Sequence, residues 1–200
     1  MNVLVTGGSG FIGSHIVDRL LNDGHQVTVL DLWESEDIKP YSNNPNYKFV
    51  KGTVLEDKLV SENMKGKTHL IHLAAILGTS ETITTYDVEQ VAMTNIIGSI
   101  KMFKHAKENG LKRVCVPTTP DVPWINPYKI TKAAVEKLAQ LFSYEYGLEV
   151  VALKLGNIYG ARERWLDCAK DAPYNYQKII PTILMNTLRG VPLPIYGNGN

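Results

Sequence analysis

The stretch Asn2-Val3-Leu4-Val5-Thr6-Gly7-Gly8-Ser9-Gly10-Phe11-Ile12-Gly13 decides the fold. Its first five residues form a short apolar run of the kind found in a strand buried on both faces. Glycines at 7, 10 and 13 follow in the pattern G-x-x-G-x-x-G. Phe11, Ile12, Ile16, Val17, Leu20 and Leu21 then recur with helical spacing, up to Gly24 at a C-terminal cap position. Glycine permits a tight turn and close backbone approach, and the unpaired N–H groups at the helix start attract negative charge. The loop therefore suits a pyrophosphate. A glycine-rich turn between any strand and helix would share part of this pattern, so context must decide.

The same alternation continues along the chain. Apolar runs predict strands over 26–30, 47–50, 69–73, 113–116 and 150–155. Helical periodicity predicts helices over about 84–109, 127–146 and 178–189. In the first of these, Val88, Val91, Ala92, Ile96, Ile100 and Phe103 are expected to point inward. Strands alternating with helices predict an α/β fold, a Rossmann-type doubly wound parallel sheet covered on both faces. After Gly160 the chain becomes polar and aromatic without a clear period. Residues 1–160 read as one dinucleotide-binding domain and 161–200 as the start of a second, small lobe.

Composition excludes several classes. The 200 residues carry a net charge of +1, with 20% charged and 44% hydrophobic residues. That balance fits a folded domain and argues against nucleic-acid or polybasic membrane partners. No run approaches the ~20 apolar residues of a membrane span. The start MNVLVTGGSG enters a strand at once and shows no secretory signal. Two cysteines, Cys115 and Cys168, make no disulfide framework, so a reducing, cytoplasmic setting is expected. His69 and His72 flank a strand without metal-ligand spacing and read as structural, so no metal is expected.

Asp31 ends the second strand, on the order of 20 residues after the loop, where a carboxylate accepts from the adenosine ribose hydroxyls. It would repel a 2′-phosphate and no Arg lies nearby, which favours NAD over NADP. Tyr128 and Lys132, behind Pro127, are spaced i and i+4 on one helical face. A free phenol is a poor base, with a pKa near ~10. A nearby ammonium lowers it, so Tyr128 could exchange a proton with a substrate hydroxyl during hydride transfer. Taken alone, a Y-x-x-x-K pair is most often a surface feature.

The order of the motifs is more specific than any one of them. The glycine loop, Asp31, His72-Leu73-Ala74-Ala75, Tyr128 to Lys132, and Gly156-Asn157-Ile158-Tyr159-Gly160-Ala161-Arg162 occur in one sequence. Together they resemble the extended short-chain dehydrogenase/reductases, and among these the nucleotide-sugar epimerases and dehydratases of the UDP-glucose 4-epimerase type. The resemblance spans essentially the whole chain. It implies NAD contacts from Gly7, Gly10, Phe11, Ile12, Gly13, Asp31, Leu32, Thr53, Val54, Leu73, Ala74, Ala75, Asn95, Tyr128 and Lys132. For Asn95 a structural hydrogen bond is an equal alternative. Thr119 matches the catalytic hydroxyl, with Thr118 as the neighbouring candidate, and completes a Thr119-Tyr128-Lys132 set. Asn157 and Arg162 match substrate contacts. The implied activity is NAD-dependent epimerisation of a nucleotide-activated sugar, at C4, through a transient 4-keto sugar. A 4,6-dehydratase or reductase, or a catalytically idle dinucleotide-binding protein, are the alternatives. The family's dimer face implies a homodimer through the helices near 84–109 and 128–146.

Four departures from the family pattern bear on that reading. The link from Thr119 to Tyr128 is short, with Trp124 available to wall the pocket. Thr53 stands where relatives carry Asp. Pro120 cannot act as an acid, and Asp121 has a shorter reach than the Glu of related dehydratases, which weakens a dehydratase reading. Lys154 stands where many relatives have Arg. The sequence stops at Asn200, where relatives continue with further pocket elements, so the second lobe reads as truncated.

Overall fold

A computed structural model describes residues 1–78, 85–120, 125–163 and 179–193. Six strands form one sheet: β1 (Asn2–Thr6), β2 (Gln26–Asp31), β3 (Tyr47–Lys51), β4 (His69–His72), β5 (Arg113–Thr118) and β6 (Val150–Lys154). All neighbouring pairs are parallel and the order is β3-β2-β1-β4-β5-β6. That is the doubly wound order, and its switch point lies between β1 and β4. Val3 sits opposite Val27 on one side and His69 on the other.

The period of two along β1 explains why its run is apolar throughout. Val3 and Val5 face a core cluster with Val17, Leu21, Val27, Val29 and Ile38. Leu4 faces the opposite cluster, with Met102, Phe103, Val114, Val135 and Phe142 among others. Each such side chain contributes roughly 1.5–3 kcal/mol when fully buried.

The connecting helices are α1 (Phe11–Asn22), α2 (Asp57–Met64), α3 (Val88–Ala92), α4 (Gly98–Glu108) and α5 (Pro127–Tyr144), with α6 (Ile179–Arg189) near the end. Helix α2 and a 3-10 turn at Lys39–Asn43 lie in stretches too short to show a period in sequence. The single helix expected over 84–109 is broken into α3, a π-helical turn at Met93–Ile97, and α4. It starts at Val88, where Asp87 and Gln90 form a capping box. A π turn carries more residues than an α turn and shifts the apolar face across it. Val91 and Phe103 are buried as expected, whereas Val88 is 62% exposed and Asn95 points inward.

The chain divides into two compact units, Met1–Gly156 and Asn157–Asn200. The sheet and helices α1 to α5 belong to the first.

Candidate dinucleotide and catalytic site

The carboxyl ends of β1, β2, β4 and β5 carry the residues singled out in sequence. After β1 the chain folds tightly on itself. The Gly7 amide donates to Leu30 O at 3.0 Å and the Gly10 amide to Gly7 O at 3.1 Å. Gly7 has φ +73°, and a Cβ there would lie 2.7 Å from Ala74 N. A Cβ on Gly13 would lie 2.2 Å from Gly7 O. Both positions therefore require glycine. Helix α1 starts without a side-chain cap and without an acidic residue in its first turn. The amides of Phe11, Ile12 and Gly13 thus have no intrahelical acceptor and form a cradle for an anion.

Asp31 is tied to this loop. Its Oδ2 accepts from the Ser9 amide at 2.9 Å and its Oδ1 from the Leu32 amide at 2.7 Å. Ser9 also donates through Oγ to Trp33 O at 2.5 Å. Ser9 went unnoticed in sequence; its place between two glycines, facing the end of β2, was the available signal. Leu32 itself is exposed. Thr53 holds its own turn, with its amide on Glu56 Oε1 at 3.0 Å and its Oγ1 accepting from Leu55 N at 3.3 Å. The Val54 side chain is buried in the main core against α4, where a Cβ on Gly98 would meet it at 2.7 Å.

Leu73, Ala74 and Ala75 follow β4, and the Ala74 amide donates to Thr6 Oγ1 at 3.3 Å. Next to them Asn95 forms a two-way clamp. Its Oδ1 accepts from Ile76 N at 2.8 Å, and its Nδ2 donates to Ile76 O and to Thr131 Oγ1, each at 3.0 Å. Of its two readings, the structure shows structural hydrogen bonds that engage all of its amide atoms.

Helix α5 presents the candidate catalytic pair. Asn126 caps it by accepting from the Lys129 amide at 2.9 Å, and Pro127 occupies the first turn. Tyr128 is half-buried, while Lys132 is 4% exposed. Lys132 Nζ donates to Pro117 O at 3.0 Å and lies 5.9 Å from the Tyr128 ring centre. Burial pushes the Lys132 ammonium down to about 8 and pushes the Tyr128 phenol up. This corrects the expectation that Lys132 lowers the tyrosine pKa: desolvation dominates at Tyr128.

Thr118 ends β5 and Thr119 follows it. Thr119 is half-buried, and Thr118 is 3% exposed, with no hydrogen-bond partner for its Oγ1 among the described residues. Asp121 and Trp124 lie outside the described residues. Asn157 and Arg162 fall in the second unit, and Arg162 has φ +69°. His72 is buried between Thr6 and Ser99, as its structural reading requires.

A family model described as the NAD dependent epimerase/dehydratase family matches residues 3–200. The chain belongs to this family. The dTDP-glucose 4,6-dehydratase of Streptomyces niveus is 30% identical over all of this chain and 63% of its own length. Among solved structures, the UDP-glucose 4-epimerase of Thermotoga maritima superposes with a TM-score of 0.81 at 29% identity, over all of this chain and 67% of that one. The dTDP-glucose 4,6-dehydratase of Streptomyces venezuelae, solved with NAD bound, gives a TM-score of 0.81 at 27% identity, over all of this chain and 66% of that one. The chain thus spans about two thirds of these relatives. The family's cofactor is NAD, and the residues present fit it: the glycine cradle leaves room for backbone approach, and Asp31 stands at the end of β2 with no Arg near it in sequence.

Proposed function

We propose that this chain carries the cofactor and proton-transfer machinery of a nucleotide-sugar 4-epimerase. The observation that supports the reading most is the Tyr128–Lys132 pair on the first turns of α5, with the lysine anchored to the β5 end through Pro117 O. When bound, NAD would supply the hydride acceptor and donor for the sugar carbon. Gly7, Gly10, Gly13 and the first turn of α1 would hold the pyrophosphate, and Asp31 and Leu32 would meet the adenosine ribose. Thr53, Val54, Leu73, Ala74 and Ala75 line the remaining contacts.

Tyr128 takes the proton of the C4 hydroxyl and gives it back from the phenol after the keto sugar has turned over. Lys132, anchored to Pro117 O, holds its charge 5.9 Å from the Tyr128 ring centre, while burial pushes the phenol itself up. Thr119 orients the hydroxyl oxygen, and Asn157 and Arg162 are substrate contacts by their match to the family's motif. Pro120 beside Thr119 supports the epimerase over a 4,6-dehydratase, which needs an added acid at that place. The likeness to the Streptomyces dehydratases keeps dehydration as the second reading. A homodimer through the 84–109 and 128–146 segments fits the exposed apolar side chains of Met93 on the π turn and Ile130, Leu141 and Tyr144 on α5.

The test is incubation with a panel of UDP-, GDP- and dTDP-sugars, with products resolved by chromatography and mass spectrometry. A stereoisomer of unchanged mass supports the epimerase. Loss of water transfers the assignment to the dehydratase. Bound NAD without conversion of any sugar leaves an idle dinucleotide-binding protein.

A further inference from the structure

A line of hydrogen bonds, continued through the backbone and side chain of Asn95, joins the strand that opens the dinucleotide loop to the helix that carries Tyr128. Its centre is His72, the last residue of β4, 1% exposed and edge-on to Phe103. His72 Nδ1 lies 2.7 Å from Thr6 Oγ1, and Nε2 lies 3.0 Å from Ser99 Oγ. Ser99 Oγ donates to the Asn95 carbonyl at 2.6 Å. A hydroxyl has one proton. That of Ser99 goes to Asn95, so Ser99 must accept from His72, and the ring proton sits on Nε2. Nδ1 is then an acceptor and takes the proton of Thr6. Thr6 Oγ1 in turn accepts from Ala74 N at 3.3 Å. The opposite tautomer would leave Nε2 facing a hydroxyl with no proton to give.

The line continues beyond Asn95. Its side chain donates to Thr131 Oγ1 at 3.0 Å, and Thr131 donates to Tyr128 O at 2.9 Å. Thr131 is 3% exposed and sits between Tyr128 and Lys132. At the other end the Ala74 backbone abuts Gly7 so closely that a Cβ there would meet Ala74 N at 2.7 Å. Each hydroxyl donates once and each acceptor is used; the bonds from Thr6 through His72, Ser99 and Asn95 to Thr131 are buried, and the end bonds to Ala74 N and Tyr128 O are part-buried. A displacement at one end therefore leaves an unsatisfied buried group unless the other end follows.

We propose that His72, fixed as the Nε2–H tautomer, is a positioning residue that couples the seating of segment 73–76 against the dinucleotide loop to the placement of Tyr128, with Thr131 as the last link. The part concerning turnover rests on the assignment of Tyr128 as the proton-transfer residue. His72 and Thr131 themselves transfer no proton to substrate.

Three measurements on the full chain test this. In 15N-histidine NMR at neutral pH, the resonance lost in His72→Gln is expected to show a protonated Nε2 and an unprotonated Nδ1. An Nδ1–H ring, or one averaging between tautomers, overturns the proposal. Ser99→Ala cuts the line in the middle and is expected to weaken NAD binding, followed by fluorescence titration, at least about fivefold, the low end of ordinary site coupling. Wild-type NAD affinity in that variant overturns the coupling. Thr131→Val removes the last link at constant shape. With the converted sugar nucleotide as substrate, kcat is expected to fall about tenfold to a hundredfold at unchanged KM, and Thr131→Ser to restore it. A wild-type kcat in Thr131→Val, or a change confined to KM, overturns the positioning role. If no sugar nucleotide is converted, the proposed function fails, while the tautomer and NAD-affinity measurements still decide the coupling.

Discussion

Lys132 Nζ donates to the Pro117 carbonyl at 3.0 Å and stands 5.9 Å from the Tyr128 ring centre, so the two candidate catalytic groups are held near one another without a hydrogen bond between them. The lysine is anchored to the sheet, and the tyrosine is carried by the same helix one turn earlier. This keeps a charge close to the phenol while leaving the phenol oxygen available to a substrate hydroxyl. Replacing Tyr128 by Phe removes that oxygen alone. We expect turnover to fall at least about a hundredfold with NAD binding within a few-fold of wild type. Full activity in Tyr128→Phe, measured by product formation, would refute the mechanism.

Burying Lys132 costs stability when it is charged. Its folded pKa is pushed from 10.5 to about 8, so between those values the unfolded chain holds a proton the folded chain has released, and stability rises with pH. At pH 7 both states are charged and the full cost is present, roughly 3 kcal/mol at 1.36 kcal/mol per unit. Lys132→Met should therefore melt higher than wild type at pH 7 while losing activity, and its advantage should shrink toward pH 10. Denaturant titrations of both proteins across that range measure the difference.

His72 acts with the same sign in a lower pH window. Burial pushes it from 6.5 to about 3, so below pH 6.5 the unfolded chain takes up a proton that the folded chain refuses. Stability is present above 6.5 and is lost as pH falls, by about 2 kcal/mol at pH 5. Thermal melts should show wild type losing more between pH 7 and pH 5 than His72→Gln, because Gln cannot titrate.

The two threonines at the end of β5 should separate cleanly. Thr118 has a buried hydroxyl with no partner among the described residues, so Thr118→Val should be neutral or stabilising by about 1 kcal/mol. Thr119→Val should leave the melting temperature unchanged and lower kcat. Equal losses of kcat in both variants would move the orienting hydroxyl away from Thr119.

Gly13 admits no side chain. The Cβ of Gly13→Ala would lie 2.2 Å from Gly7 O, and the turn would have to open. We expect loss of bound NAD and a destabilisation of ~3 kcal/mol, the scale of severe overpacking. Retention of NAD through purification, read by absorbance, would show that the loop tolerates the shift.

Much of this architecture is legible in the sequence. The run from Asn2 to Thr6, the three glycines and Asp31 announced a parallel doubly wound sheet with a dinucleotide at its switch point, because period, turn chemistry and spacing are local properties of the chain. The 84–109 segment shows where local reading ended. Its periodicity predicted one helix facing inward from Val88, but the structure inserts a π turn around Asn95. That turn puts the Asn95 amide within reach of both Ile76 and Thr131, residues far away in sequence. No pattern in the segment itself carries that requirement.

The sequence alone determined which residue types were available and which strands and helices they could form. It placed Tyr128 and Lys132 on one face through the helical repeat. Tertiary structure decided their chemical state. The pKa values of Tyr128, Lys132 and His72 are set by desolvation, and desolvation depends on what the rest of the chain packs around each group. The same holds for the line from Thr6 to Thr131. It exists because β1, β4, the π turn and α5 converge in space, and hydrogen-bond direction then fixes a tautomer that no linear reading could assign.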